Sequence, residues 1–309
     1  MNIQSNAASE SPLESQAMAP AITSPTRPIY WSVRRELWEN RSIYIAPLAV
    51  AALFLFGFMI NLIHLPGRMR AAALNPEQQR ALIEQPYEFA ALLIMGTTFF
   101  VAIFYCLDAL HGERRDRSIL FWKSLPVSDL TAVLSKAIIP IVILPLLTFT
   151  ITVALWFMML LMSSAVLLGS GLSIATPSNH WSLFQMSVML FYHLLAIHGF
   201  WYAPIYAWML LVSGWARRAA FLWATVPPLA IGIVEKIAFG TSHFADMLGY
   251  RFSGGEEDMG SRATGISVLL MPHQTPGQYL LSPTLWTGLA VAAIFLAAAV
   301  RLRRYRGPI

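Results

Sequence analysis

Two histidines, His193 and His198, stand inside an apolar stretch among Tyr192, Trp201, Tyr202, Tyr206 and Trp208. Ionisable side chains in a hydrophobic run are costly to keep there and so attract a functional reading. Imidazoles can ligate a metal, relay a proton or line a path for a substrate. Five residues separate the two, however. That is about 140° around an α-helix, so one face of a regular helix does not present both. No His-Glu-x-x-His sequence occurs, and residues 183–212 hold no carboxylate, so no metal site and no catalytic group are expected. Packing with interhelical hydrogen bonds is the plainer reading. Lining of a substrate path by His193, His198, Trp201, Tyr202 and Tyr206 is the functional one.

Other candidates are weaker. Asp108 can pair with Arg115 near the end of its hydrophobic run. Glu235 and Lys236 close another run, where they could serve a gate or simply reach toward headgroups. His243, Asp246, Glu256, Glu257, Asp258 and His273 make a loosely acidic loop that reads as solvated rather than cation-binding. Cys106 is the single cysteine, so no intramolecular disulfide is possible. No G-x-x-x-x-G-K-[ST] phosphate loop occurs.

The elements that carry these residues are set by composition. The 309 residues are 57% hydrophobic and 12% charged, with a mean hydropathy of +0.58. A soluble domain carries about 25% charged residues, so this chain has too little polar surface to coat a soluble globule. Crossing a bilayer takes about 20 apolar helical residues. Six stretches qualify, near Tyr44–Leu65, Phe89–Leu110, Lys136–Met162, Leu183–Val212, Ala219–Phe239 and Pro283–Val300. Gly199 and Pro204 predict a break in the fourth. No internal repeat is evident. Residues 1–27, rich in Ser, Ala and Pro, read as a disordered tail without the basic start and apolar core of a secretory signal.

The net charge of +5 does not call for a nucleic acid, because its distribution follows membrane topology. Fifteen of the Lys and Arg residues fall on the side of the two chain ends and six on the other. The positive-inside rule then predicts both termini in the cytoplasm of a multi-pass protein. Between Pro28 and Tyr44 a surface helix is expected, with Tyr30, Val33 and Leu37 on one face beside Trp31 and Trp38. Ser32, Arg35, Glu36 and Glu39 should lie mainly opposite. Residues 241–282 form a long connection whose apolar piece, Ala263–Met271, is too short to cross and is expected to be re-entrant or interfacial.

The piece between the second and third spans is too polar for lipid and too patterned for a linker. Glu113 and Arg117 stand at i,i+4, which predicts that the second helix continues past the membrane. Ile119, Leu120, Phe121 and Trp122 form an apolar cluster that suits either docking or the bilayer interface. Pro126 punctuates, and Ser128 can cap a helix leading into span three.

Glu113-Arg114, then Ser118, then Ser124-Leu125-Pro126-Val127-Ser128, then Lys136 at the start of span three resemble the permease subunit of ABC-2-type ABC exporters. The layout over residues 28–309 is similar as well. The resemblance implies an all-α membrane fold of six transmembrane helices, with a cytoplasmic amphipathic helix before span one and a re-entrant segment between spans five and six. It implies a dimer of permeases, of the same or a related chain, in a bacterial cytoplasmic membrane. It also implies two copies of a separate ATPase subunit that bind ATP and Mg, while this chain binds no cofactor and is not itself an enzyme. By position, Glu113, Arg114, Arg115, Asp116, Ser118, Phe121, Trp122, Lys123, Leu125 and Pro126 would couple to that ATPase. Arg34, Arg35, Glu36 and Trp38 of the surface helix would form a second contact.

Three rival readings remain. An intramembrane enzyme would need convergent catalytic groups within the spans. A channel or secondary transporter would usually show paired broken helices or midplane charges. A sensor or scaffold could keep a permease-like shape without transporting. The cargo itself is not legible.

Overall fold

The computed structural model describes residues 26–72, 75–124, 127–171, 183–254 and 276–307. All regular structure among them is helical, with no strand. The chain begins with α1 (Thr26–Glu39), α2 (Ser42–Ala71), α3 (Pro76–Ala109), α4 (His111–Arg115), α5 (Ser118–Ser124) and α6 (Asp129–Ile138). A π-helical turn, Ile139–Ile143, joins α6 to α7 (Leu144–Gly169), and a second, Leu194–Trp201, joins α8 (Leu183–His193) to α9 (Ala203–Trp215). Then follow α10 (Ala220–Phe239), α11 (His243–Phe252), α12 (Pro276–Leu281) and α13 (Pro283–Tyr305).

Among the described residues six helical stretches are long and apolar enough to cross a membrane: Ser42–Ala71, Ala81–Arg115, Asp129–Gly169, Leu183–Trp201, Ala220–Phe239 and Pro283–Tyr305. The chain is a multi-pass helical membrane protein. The expected spans are all present, but their ends differ. The second helix starts at Pro76 rather than Phe89, because polar turns extend it beyond the apolar run. The fourth is divided at Tyr202, where Pro204 starts α9 in its first turn. The tail (1–25) and the apolar piece 263–271 lie outside the described residues.

Packing is pairwise along the bundle. α2 lies against α3 and α7, α3 against α9, and α13 along α9. One core cluster joins Ile43, Cys106, Ile139, Tyr206 and Leu210. A second joins Phe58, Ile94, Trp156 and Leu190. The outward sides remain apolar, with Leu53, Phe56, Ile63, Phe100, Ile233 and Ile237 exposed. A surface of that kind suits lipid contact.

The two π turns meet. Pro140 lacks the N–H that a regular helix would use, and the turn around it widens by one residue. Opposite stands Gly199, where an added Cβ would lie 2.9 Å from the Ile141 carbonyl oxygen. Only glycine lets the backbones approach this closely.

Candidate functional site

The short helices after α3 are held by their own polar groups. The Ser213 hydroxyl accepts from the backbone N–H groups of Leu110 (3.0 Å) and His111 (2.8 Å), satisfying donors left open where α4 starts. The Arg114 guanidinium, buried, donates to the carbonyls of Gly214 (2.8 Å), Ala216 (3.3 Å) and Gly307 (3.2 Å). These bonds tie α4 to the end of α9 and to the C-terminal end of α13. The C-terminal end of the described chain therefore lies at the same end of the bundle as α4, and the Arg35–Glu113 pair (3.1 Å) brings α1 there as well.

Glu113 does not face Arg117. Arg117 adopts a left-handed conformation (φ 60°) that turns the chain, so the helical path ends after Arg115 and α5 starts in a new direction. The expected continuation of the second helix past its apolar run is therefore present as far as Arg115, but it stops short of Arg117. The Glu113 carboxylate instead receives three cations: Lys136 at 3.1 Å, Arg35 at 3.1 Å and Arg303 at 3.2 Å. Lys136 also lies 2.7 Å from Glu36, whose other oxygen accepts from the Tyr105 hydroxyl at 3.0 Å. Arg303 reaches Asp129 at 3.4 Å. Three carboxylates (Glu36, Glu113, Asp129) thus share three cations (Arg35, Lys136, Arg303), which balances charge where water is scarce. The cluster joins α1, α4, α6 and α13.

The placement of α1 reverses part of the expected pattern. Glu36 is 3% exposed, whereas Trp38 is 73% exposed. Val33 and Leu37 pack on the core as expected, but Tyr30 and Trp31 point away from it. Glu36 shares the inward face because it lies three residues after Val33, and Lys136 and Tyr105 compensate its burial. Arg35 stacks on the Trp122 ring at 3.5 Å and pairs with Glu39 at 3.0 Å. The Arg34 guanidinium lies over Trp31 (5.2 Å) and Trp38 (5.8 Å).

The residues of α5 separate into two groups. Ile119 is buried, and Trp122 is engaged by Arg35. Leu120 and Phe121 point outward, each 59% exposed. Lys123 donates to the carbonyls of Arg304 and Arg306, both at 3.3 Å. Ser118 donates to the Glu113 carbonyl at 3.4 Å. Arg115 and Asp116 pair with each other on the surface at 3.0 Å, and Arg115 approaches Asp108 at 3.8 Å. Ser128 caps α6 by accepting from the Thr131 N–H at 3.1 Å. Leu125 and Pro126 lie outside the described residues.

The histidines behave differently from the helical-wheel expectation. The i→i+5 bonding of the π turn places residues five apart over one another, and the rings of His193 and His198 lie 5.8 Å apart. They do face one another. Around them Phe99 touches the rings of His198, Tyr202 and Tyr206. The cavity that His198 and Tyr206 line with Thr98 and Thr148 measures about 10 Å³, room for about one water. Trp201 and Tyr202 donate to the carbonyls of Arg251 (2.9 Å) and Phe252 (3.1 Å), so they anchor α11. Glu235 accepts from the N–H groups of His243 and Phe244, both at 2.8 Å, and thereby closes the start of α11. Among the described residues no group of three or more His, Cys, Asp or Glu side chains could hold a metal ion.

Sequence reasoning treated Lys136 as a topology marker and family landmark, and it passed over Tyr105, Asp129 and Arg303 as partners. The available signal was a charge at the head of the apolar run of span three. Compared with models of protein families, with curated proteins and with solved structures, the chain matches none.

Proposed function

We propose that this chain is the membrane-spanning permease subunit of an ATP-driven exporter, powered by a separate ATPase that docks on α5. The observation that carries the reading is the outward pair Leu120 and Phe121, set on a helix whose other contacts are internal. Ile119 is buried, Trp122 is stacked by Arg35, and Lys123 binds the end of α13. A force applied at Phe121 would reach α1, span three and α13 together through the Glu113 cluster. Loops held this way transmit displacement better than a flexible linker. In this reading the end of the bundle that carries α1, α4 and α5 faces the cytoplasm, as the excess of cations there supports. The chain following α10 would be re-entrant, and a second permease would complete the pathway.

The first test is whether the neighbouring gene encodes an ATPase with a phosphate loop, and co-expression with that ATPase tests the proposal directly. Wild-type protein should retain that ATPase through purification, with vanadate-sensitive ATP hydrolysis by the pair. Leu120→Ala/Phe121→Ala should lose most of the retained ATPase while the permease stays folded. A wild-type chain that purifies alone, or an unchanged complex in the double variant, would sink it.

A further inference from the structure

α1, α2 and the π turn of span three enclose a groove of about 430 Å³ on the outside of the bundle. Its walls are Leu37, Ile43, Ile143 and Leu147, all apolar, and its mouth carries Arg34, Tyr44 and Trp38. Arg34 has no carboxylate partner among the described residues. Its guanidinium carbon lies over two indole rings, at 5.2 and 5.8 Å, and indole faces accept none of its N–H groups in a conventional hydrogen bond. The Tyr44 hydroxyl also lacks a partner among the described residues. Arg41, exposed at the elbow between α1 and α2, has no ion pair there either. Val142 and Leu146, next in sequence to the groove residues Ile143 and Leu147, are exposed.

We infer that this groove binds one anionic phospholipid, with its phosphate on Arg34 and an acyl chain along Ile143 and Leu147. Charge complementarity selects the occupant. Of the basic side chains packed around α1, Arg35, Lys136 and Arg303 are consumed by carboxylates, whereas Arg34 and its neighbour Arg41 are not. A soluble anion would gain nothing from the apolar walls, and a purely apolar molecule would leave the guanidinium unanswered. A phospholipid satisfies both, as basic pockets beside transmembrane helices do for acidic headgroups. The exposed rings of Tyr30, Trp31 and Trp38 on the same helix suit the headgroup zone. The site requires only that the chain span a bilayer, and not that it export anything.

The test uses the full chain in detergent, stripped of lipid and titrated with phosphatidylglycerol, with phosphatidylcholine of the same chains, or with glycerol phosphate. Retained molecules are counted by native mass spectrometry. Phosphatidylglycerol should be retained at least about fivefold better than phosphatidylcholine, the factor one basic side chain supplies near an anionic headgroup. Glycerol phosphate should not be retained. Arg34→Gln should bring phosphatidylglycerol down to the phosphatidylcholine level. Ile143→Trp, which fills the groove and keeps the charge, should lower both lipids. Either variant is accepted only with wild-type thermal unfolding, and Leu147→Trp replaces Ile143→Trp if that one unfolds. Equal retention of both lipids by wild-type protein, or retention unaffected by Arg34→Gln and by filling the groove, overturns the inference. So does a disulfide-linked homodimer formed through Trp38→Cys in native membranes, which would assign the groove to a second copy. Loss of a co-purified ATPase in Arg34→Gln with unchanged lipid retention would likewise assign Arg34 to a protein contact.

Discussion

The Lys136 ammonium lies 2.7 Å from a Glu36 oxygen, both side chains buried and 100 residues apart in the chain. Lys136 is also 3.1 Å from Glu113, so it separates two carboxylates that would otherwise face each other. Removing one partner from a buried ion pair costs about 3–5 kcal/mol. Lys136→Met should lose that much stability in detergent, measured by chemical unfolding. Glu36→Gln should lose less, because Lys136 keeps Glu113. The double variant should be more stable than the sum of the singles implies.

Neighbouring aromatics on α5 should separate in their effects. Phe121 is exposed, whereas the Trp122 ring carries Arg35 at 3.5 Å. A cation–π contact of this kind is worth about 0.5–2 kcal/mol, depending on exposure. Phe121→Ala should leave the unfolding midpoint unchanged and reduce capture of the proposed ATPase. Trp122→Ala should lower the midpoint, since Arg35 loses its stack beside Glu113. Equal loss of stability in both variants would contradict the separation.

Arg114 holds the turn between α9 and α10 through Gly214 and Ala216, and the C-terminal segment through Gly307. Arg114→Gln cannot span all three carbonyls. The turn contains Arg217 and Arg218, both exposed. Trypsin cleavage there should accelerate several-fold in the variant, read by the appearance of fragments ending at those residues. A digestion rate equal to wild type would show that the turn is held by other contacts.

The spans were legible because hydropathy is a property of length and composition, which no packing detail changes. Their ends were not. Polar turns such as residues 76–88 continue the α3 helix where lipid is no longer required. The break in span four was visible in Gly199 and Pro204, but its π geometry was not. A helical wheel at 3.6 residues per turn put His193 and His198 on different faces, and the widened turn brings them together. Glu113 was recognised, yet with the wrong partner, because local spacing favoured Arg117 and distant residues supplied Lys136 and Arg303. Contacts tens of residues apart or more leave no periodic signal in one sequence.

The crossing of the two π turns should depend on a single hydrogen atom. A Cβ at Gly199 would meet the Ile141 carbonyl oxygen at 2.9 Å, and that oxygen belongs to backbone that cannot rotate away. Overpacking of this kind costs about 1–3 kcal/mol, so Gly199→Ala should lower stability by that amount and Gly199→Val by more. Gly57 provides the contrast, because nothing lies within 4 Å of a Cβ placed there. Gly57→Ala should be neutral or stabilising by up to about 1 kcal/mol through helix propensity. Chemical unfolding of both variants beside wild type reads the difference. If Gly199→Ala matched Gly57→Ala, the two spans would not be in close contact at this point. The facing of His193 and His198 would then lose its support from the neighbouring helix.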